Sequence, residues 1–167
     1  MQRTLVAGVG NVLRGDDGFG VAVAERLARA SLPAGVTVVE TGIAGIALVQ
    51  ELQCGWDSLV LVDAVDRGRP PGTVMVIKPE VVDVQQLSWE ERNDLIADMH
   101  LATPDRVLVL ARALGALPAW VRIVGCQPTD AESVKEGLSV VVSAAVDIAS
   151  AEVLRLLEAR AAVANDA

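Results

Sequence analysis

The sequence predicts an α/β fold in three layers, a mixed and mainly parallel five-stranded sheet flanked by helices. Three observations carry this expectation. Apolar runs of strand length alternate with segments of helical period, the pattern of βα units around a sheet. The run Leu59-Val60-Leu61-Val62 is continuously apolar, as expected of a strand covered on both faces. Glycine and proline mark the joints, and no repetitive or long polar tract divides the chain, so residues 1–167 read as one domain.

The elements follow in order. Thr4 to Val9 reads as the first strand, then a glycine-punctuated turn leads into a helix from about Gly18 to Ala30 with Val21, Ala24, Leu27 and Ala28 on one face. Pro33 and Gly35 end that unit; Val36 to Glu40 is the second strand, and a short helix follows Gly45. Ser58 to Val62 is the third strand. Thr73 to Ile77 makes the fourth, and it follows Pro70, Pro71 and Gly72 too closely for a crossover helix, so it pairs antiparallel or lies at an edge. Ser88 and Glu91 have capping-box spacing, and Thr103 with Pro104 suits the start of another helix that stops at Gly115. His100 falls in the joint between these two helices. Val121 to Gly125 gives the fifth strand, and an amphipathic helix runs from about Ser139 to Ala162.

Composition narrows the function classes. With 52% hydrophobic residues the chain has ample core, while no Tyr and a single Phe leave few platforms on which bases could stack. A net charge of −8 repels nucleic acid and an anionic membrane surface, and suits a cationic or metal-bearing partner. Cys54 and Cys126 lack metal-site spacing and read as buried reduced thiols, which places the protein in the cytoplasm. The apolar stretch Leu5 to Val9 is too short for a signal peptide, and Asp147 interrupts the Val-rich segment near Val140, so neither a targeting segment nor a membrane span is expected. The expected state is a monomer that meets its partner transiently.

Asp17, Asp63 and His100 form the candidate site. In open α/β sheets ligands bind beyond the carboxyl ends of the strands, where Asp17 follows the first strand and Asp63 ends the third. His100, the single histidine, reaches the same edge from its loop. Two carboxylates and an imidazole suit Ni, Zn or Mn better than Ca, which prefers oxygen, or Cu(I), which prefers sulfur. Each residue also has a plainer reading. Asp16 or Asp17 could cap the following helix, Asp63 could bond the turn after its strand, and the adjacent acids allow one role each.

Gly8, Gly10 and Asn11 invite a dinucleotide-binding reading, with Glu40 as the acid that would meet a ribose. Leu13 occupies the place of the third glycine, and Asp16 and Asp17 would confront a pyrophosphate, so the glycines serve equally to let the chain approach the sheet. No nucleotide is expected. A serine hydrolase would have to use His100 as its base, and no serine stands in a nucleophile motif.

Taken in order, Gly8-Val9-Gly10-Asn11, Gly15-Asp16-Asp17-Gly18-Phe19-Gly20, Leu61-Val62-Asp63-Ala64 and His100 ahead of Pro104 resemble the [NiFe]-hydrogenase maturation endopeptidase family. The resemblance extends through Thr41-Gly42-Ile43-Ala44-Gly45, Pro71-Gly72-Thr73 and Val124-Gly125-Cys126-Gln127-Pro128. It implies an aspartic-type hydrolase that removes a short C-terminal extension from the hydrogenase large-subunit precursor after nickel insertion. It also implies metal binding or recognition by Asp17, Asp63 and His100, the metal being nickel carried by the substrate or another divalent ion. Substrate contact falls to Glu40, Thr41, Gly42 and Ile43, where many relatives carry an Asp-Gly-Gly-Thr type loop and this chain has Ile43 for the small hydroxyl residue. A nickel-sensing chaperone that binds the precursor without cutting it, and a nucleotide-binding module on the Gly8–Asn11 loop, are the rival readings.

Overall fold

A computed structural model describes residues 2–43, 45–97 and 103–165. The strands are β1 (Thr4–Val9), β2 (Val36–Gly42), β3 (Ser58–Ala64), β4 (Val74–Ile77) and β5 (Trp120–Cys126). They form one sheet in the order β2-β1-β3-β5-β4. All neighbours are parallel except β4, which pairs antiparallel with β5 at the edge, as the short Pro-Pro-Gly connection requires. The helices are α1 (Phe19–Ala28), α2 (Gly45–Leu52), α3 (Trp89–Ala97), α4 (Pro104–Ala113) and α5 (Val140–Asn165).

Side-chain alternation along the strands sorts the core into two layers. Val6, Val60, Val62 and Val124 pack with Phe19, Val23 and Leu27 of α1 and with Val142, Ala149 and Val153 of α5. Leu5, Ala7, Leu59, Leu61 and Ile123 pack on the other face with Leu48 and Leu52 of α2 and with Val107 and Leu108 of α4. Central β3 is buried from Ser58 to Asp63, which accounts for its continuous apolar run.

Local chemistry explains most element ends, with some corrections. The first helix begins at Phe19, and Gly15–Gly18 forms a separate 3-10 turn ahead of it. Ala28 is exposed; Phe19 and Val23 take part in the buried face instead. The capping box is formed, with the Glu91 N–H donating to Ser88 Oγ and the Ser88 N–H to Glu91 Oε2. Thr103 is the N-cap of α4, but its side chain makes no capping bond, and Pro104 sets the first turn. Both cysteines are free, yet only Cys126 is buried; Cys54 is exposed. Among the described residues no helix is long and apolar enough to cross a membrane.

One close approach fixes where the site forms. A Cβ on Gly20 would lie 2.2 Å from the carbonyl oxygens of both Val9 and Val62, so only glycine lets the start of α1 rest on β1 and β3. That contact holds the Gly15–Gly18 turn at the carboxyl edge of the sheet.

Candidate active site

Asp63 continues the parity of Leu59 and Leu61, which places its side chain on the sheet face covered by α2 and α4. It is 6% exposed. Among the described residues, the one hydrogen bond to its carboxylate is the 2.8 Å donation from the Ala64 N–H to Oδ1. Burial pushes its pKa well above the ordinary 3.8, the negative charge of Asp17 adds to this, and the Ala64 bond opposes it. Asp105, in the first turn of α4, raises it further.

Asp17 sits in the 3-10 turn, half-buried, and its Oδ2 accepts the Asn11 backbone N–H at 2.9 Å. Burial raises its pKa too, against the Asn11 bond and the charge of Arg14, with Glu132 pushing the same way as burial. The loop that supplies Asn11 is pressed on the turn. Gly10 has φ 138°, and a Cβ there would lie 1.8 Å from the Asp17 carbonyl oxygen. Two carboxylates raised by burial at the carboxyl edge of adjacent parallel strands, with the charge of Asp17 acting on Asp63, form a site poised for either a proton or a cation.

His100 lies outside the described residues, as does Ala44. Among the described residues no three of His, Cys, Asp or Glu stand close enough together to hold a metal ion.

Glu40, Thr41, Gly42 and Ile43 occupy the end of β2 and its exit. The β1–β2 register shifts here, from Gly8 opposite Glu40 to Val9 opposite Gly42, so Thr41 is the extra residue. Its hydroxyl donates to the Gly8 carbonyl at 3.3 Å, and the Gly10 N–H donates to the Gly42 carbonyl at 3.1 Å. Glu40 is exposed, and Ile43 is 67% exposed. With Val12, Leu13 and Ile46, also more than half exposed, Ile43 gives this edge an unusually apolar rim. A cleft of about 230 Å³ beside the turn is lined by Val12, Leu13, Val21 and Leu138 among others.

Comparison with known proteins gives the family of the chain. The hydrogenase maturation protease family model matches residues 21–156. HupD, a hydrogenase expression/formation protein of Rhodobacter capsulatus, is 35% identical over 95% of this chain and 72% of its own length. The chain belongs to the hydrogenase maturation protease family. HupM of Azotobacter chroococcum mcd 1 is 37% identical over 96% of this chain and 74% of its own. Among solved structures, the hydrogenase maturating endopeptidase HybD from E. coli superposes with a TM-score of 0.75 at 29% identity, covering 95% of this chain and 94% of that one. A hydrogenase 2 maturation peptidase from Thaumarchaeota archaeon SCGC_AB-539-E09 gives 0.65 at 34%, covering 93% and 98%. The protein is accordingly a peptidase.

Several supports of this candidate site are invisible to sequence reasoning. Asp16 is 1% exposed, and its carboxylate accepts the Ser139 N–H at 2.6 Å and hydroxyl at 3.0 Å, the Thr129 N–H at 2.8 Å and the Asp130 N–H at 3.3 Å. Burial alone would raise its pKa, but these donors outweigh it and hold the group below 3.8. Of the two adjacent acids, Asp16 is therefore the structural one. Gln127, 5% exposed, accepts the Arg67 and Arg69 N–H groups and donates to Asp66, which fixes the loop leaving Asp63. A polar residue directly after an apolar strand, as in Cys126-Gln127-Pro128, is the only trace of this role in the sequence.

Proposed function

We propose that this protease removes a short C-terminal extension from the precursor of a [NiFe]-hydrogenase large subunit once nickel is in place, and that Asp17, Asp63 and His100 are the residues that read the metal. The observation that carries this reading is the Asp17–Asp63 pair: a half-buried and a buried carboxylate, each with one backbone donor among the described residues, both raised by burial, Asp63 also by the charge of Asp17. An unpaired buried carboxylate costs several kcal/mol, and a divalent cation relieves that cost better than any described side chain nearby. The donor set of two carboxylates and one imidazole fits nickel as part of the substrate. Held there, the cation supplies polarisation of the scissile carbonyl.

The chain's own residues do the remaining work. Asp63 and Asp17 orient the metal-bearing segment against the sheet edge; water is the nucleophile, its oxygen bonding to the scissile carbonyl carbon as the C–N bond breaks and the leaving amine takes up the proton that the water gives up. Ile43, Ile46, Val12 and Leu13 offer the apolar surface on which the precursor docks, beside Glu40, Thr41 and Gly42. An empty precursor lacks the cation that makes binding to the pair favourable, so discrimination rests on the loaded–unloaded difference. A second reading is favoured by the raised pKa of Asp63: the pair acts as an acid–base dyad of aspartic type, one carboxyl protonated and the other ionised.

The test is the intact mass of nickel-loaded and nickel-free precursor after incubation with this protein and with His100→Ala. Loss of a C-terminal peptide from the loaded precursor alone, by the unmodified protein alone, is the expected result. Equal cleavage of both precursors overturns the nickel gate, and cleavage by His100→Ala removes that residue from the site.

A further inference from the structure

The turn that presents Asp17 is stitched to a strap, residues 129–139, that links β5 to α5 and has no regular structure of its own. Backbone bonds run from the Gly15 N–H to the Lys135 carbonyl at 2.6 Å, from the Asp16 N–H to the Asp130 carbonyl at 3.1 Å, and from the Lys135 N–H to the Leu13 carbonyl at 3.0 Å. The Asp16 carboxylate adds its bonds from Thr129, Asp130 and Ser139 on both of its oxygens. Every one of these side-chain bonds places Asp16 as acceptor. An aspartate side chain is the shortest group that offers two acceptors and no donor, and burial at 1% exposure leaves no water to substitute for it.

The same turn is held on its other side by the loop after β1. The Asn11 N–H bonds the Asp17 carboxylate, the Arg14 carbonyl accepts the Asp17 N–H at 3.1 Å, and Gly10 abuts the Asp17 carbonyl. The strap also brings Glu132 close enough for its charge to act on Asp17. Strap, turn and loop are therefore one stack, with Asp16 as its middle clamp and Asp17 as its working edge.

We infer that Asp16 is a positioning residue for the protease reaction: by clamping the 129–139 strap to the Gly15–Gly18 turn, it sets the direction of the Asp17 carboxylate toward Asp63. It touches neither substrate nor metal. Small displacements of a reacting group cost rate steeply, so Asp16→Asn, which replaces one acceptor by a donor facing N–H groups, lowers kcat by about 100-fold. KM for the precursor rises as well, since the displaced Asp17 is one of the two carboxylates to which the loaded precursor binds.

This inference rests on the protease reading, so the experiment carries a readout that does not depend on cleavage. Amide hydrogen exchange in Asp16→Asn is expected to accelerate at Thr129, Asp130 and Ser139, and also at Asn11, whose N–H reports the Asp17 carboxylate. A strap-only structural role would speed the first three and leave Asn11 and kcat as in the unmodified protein, and that result overturns the inference. Should Asp16→Asn not fold, Ser139→Ala deletes one bond to the clamp and is read in the same way. Accelerated exchange at Asn11 with lowered kcat supports positioning; unchanged exchange there with unchanged kcat contradicts it. Failure of the unmodified protein to cut any precursor counts against the proposed function, while the Asn11 amide still decides the clamp.

Discussion

The Asp16 carboxylate, 1% exposed, is met by four donors from Thr129, Asp130 and Ser139, whereas Asp17 beside it and Asp63, 6% exposed, receive one backbone N–H each. Burial acts on all three, yet it ends with Asp16 held below 3.8 and Asp63 pushed well above it. Donor count, not depth, separates the carboxylate that ties the strap to the turn from the pair proposed for the chemistry. The difference lies in the strap: the segment after β5 directs its amides to Asp16, and among the described residues the Asp17–Asp63 edge has no comparable set of partners.

The largest effect that breaks this comparison is on turnover. Asp17→Asn and Asp63→Asn are each expected to lower precursor processing by about 1,000-fold or more, with cooperative unfolding retained. A variant that keeps a tenth of wild-type turnover would remove its residue from the site. Asp16→Asn is milder in turnover than Asp17→Asn, and equal or reversed losses would mean that the working and clamping acids are exchanged.

Next comes Gly10→Ala, which drives a Cβ into the Asp17 carbonyl and also strains φ 138°. It is expected to cost about 3 kcal/mol and to displace the turn, readable as a lower urea midpoint together with lower kcat. Unchanged turnover in this variant would show that the loop does not help to place Asp17.

Stability sharpens the contrast through opposite signs. Removing the Asp16 acceptors by Asp16→Asn is expected to cost about 2–3 kcal/mol, against about 1 kcal/mol for Ser139→Ala. Because the folded pKa of Asp16 is lowered, its contribution is present above 3.8 and disappears as pH falls through the lower folded value. Asp63 runs the other way. Its folded pKa is raised, so its favourable contribution is complete below 3.8 and is lost as pH rises through the folded value. Asp63→Asn should therefore raise Tm at pH 7 by about 2–4 °C for each kcal/mol recovered, while abolishing activity. A lower Tm at pH 7 would show that ionised Asp63 is not under strain.

Much of this architecture was legible because it rests on local rules. Strand positions, the antiparallel β4 after Pro70-Pro71-Gly72, and the Ser88–Glu91 box all follow from spacing and turn chemistry, while β2, β3 and β5 run one or two residues beyond their expected ends and β4 starts one later, at Val74. Placement of Asp17 and Asp63 on one edge follows from parallel topology. The sequence lets Asp16 and Asp17 divide two roles, and alignment from Gly10-Asn11 favours Asp17 as the site residue, but nothing in it shows what binds Asp16 to the other role. That role depends on Ser139, more than a hundred positions away, whose partnership leaves no local pattern. Cys54 was misread for a related reason: it sits in the turn after α2, where exposure is decided by the tertiary arrangement and not by its own apolar character.

The most direct measurement is a pH titration of the side-chain carboxyl ¹³C resonances of Asp16, Asp17 and Asp63 in the folded, metal-free protein. Asp16 is expected to titrate below 3.8, and Asp63 well above it with Asp17 between. Asp63 titrating at or below Asp16 would contradict the assignment of one acid to the fold and the other two to the chemistry.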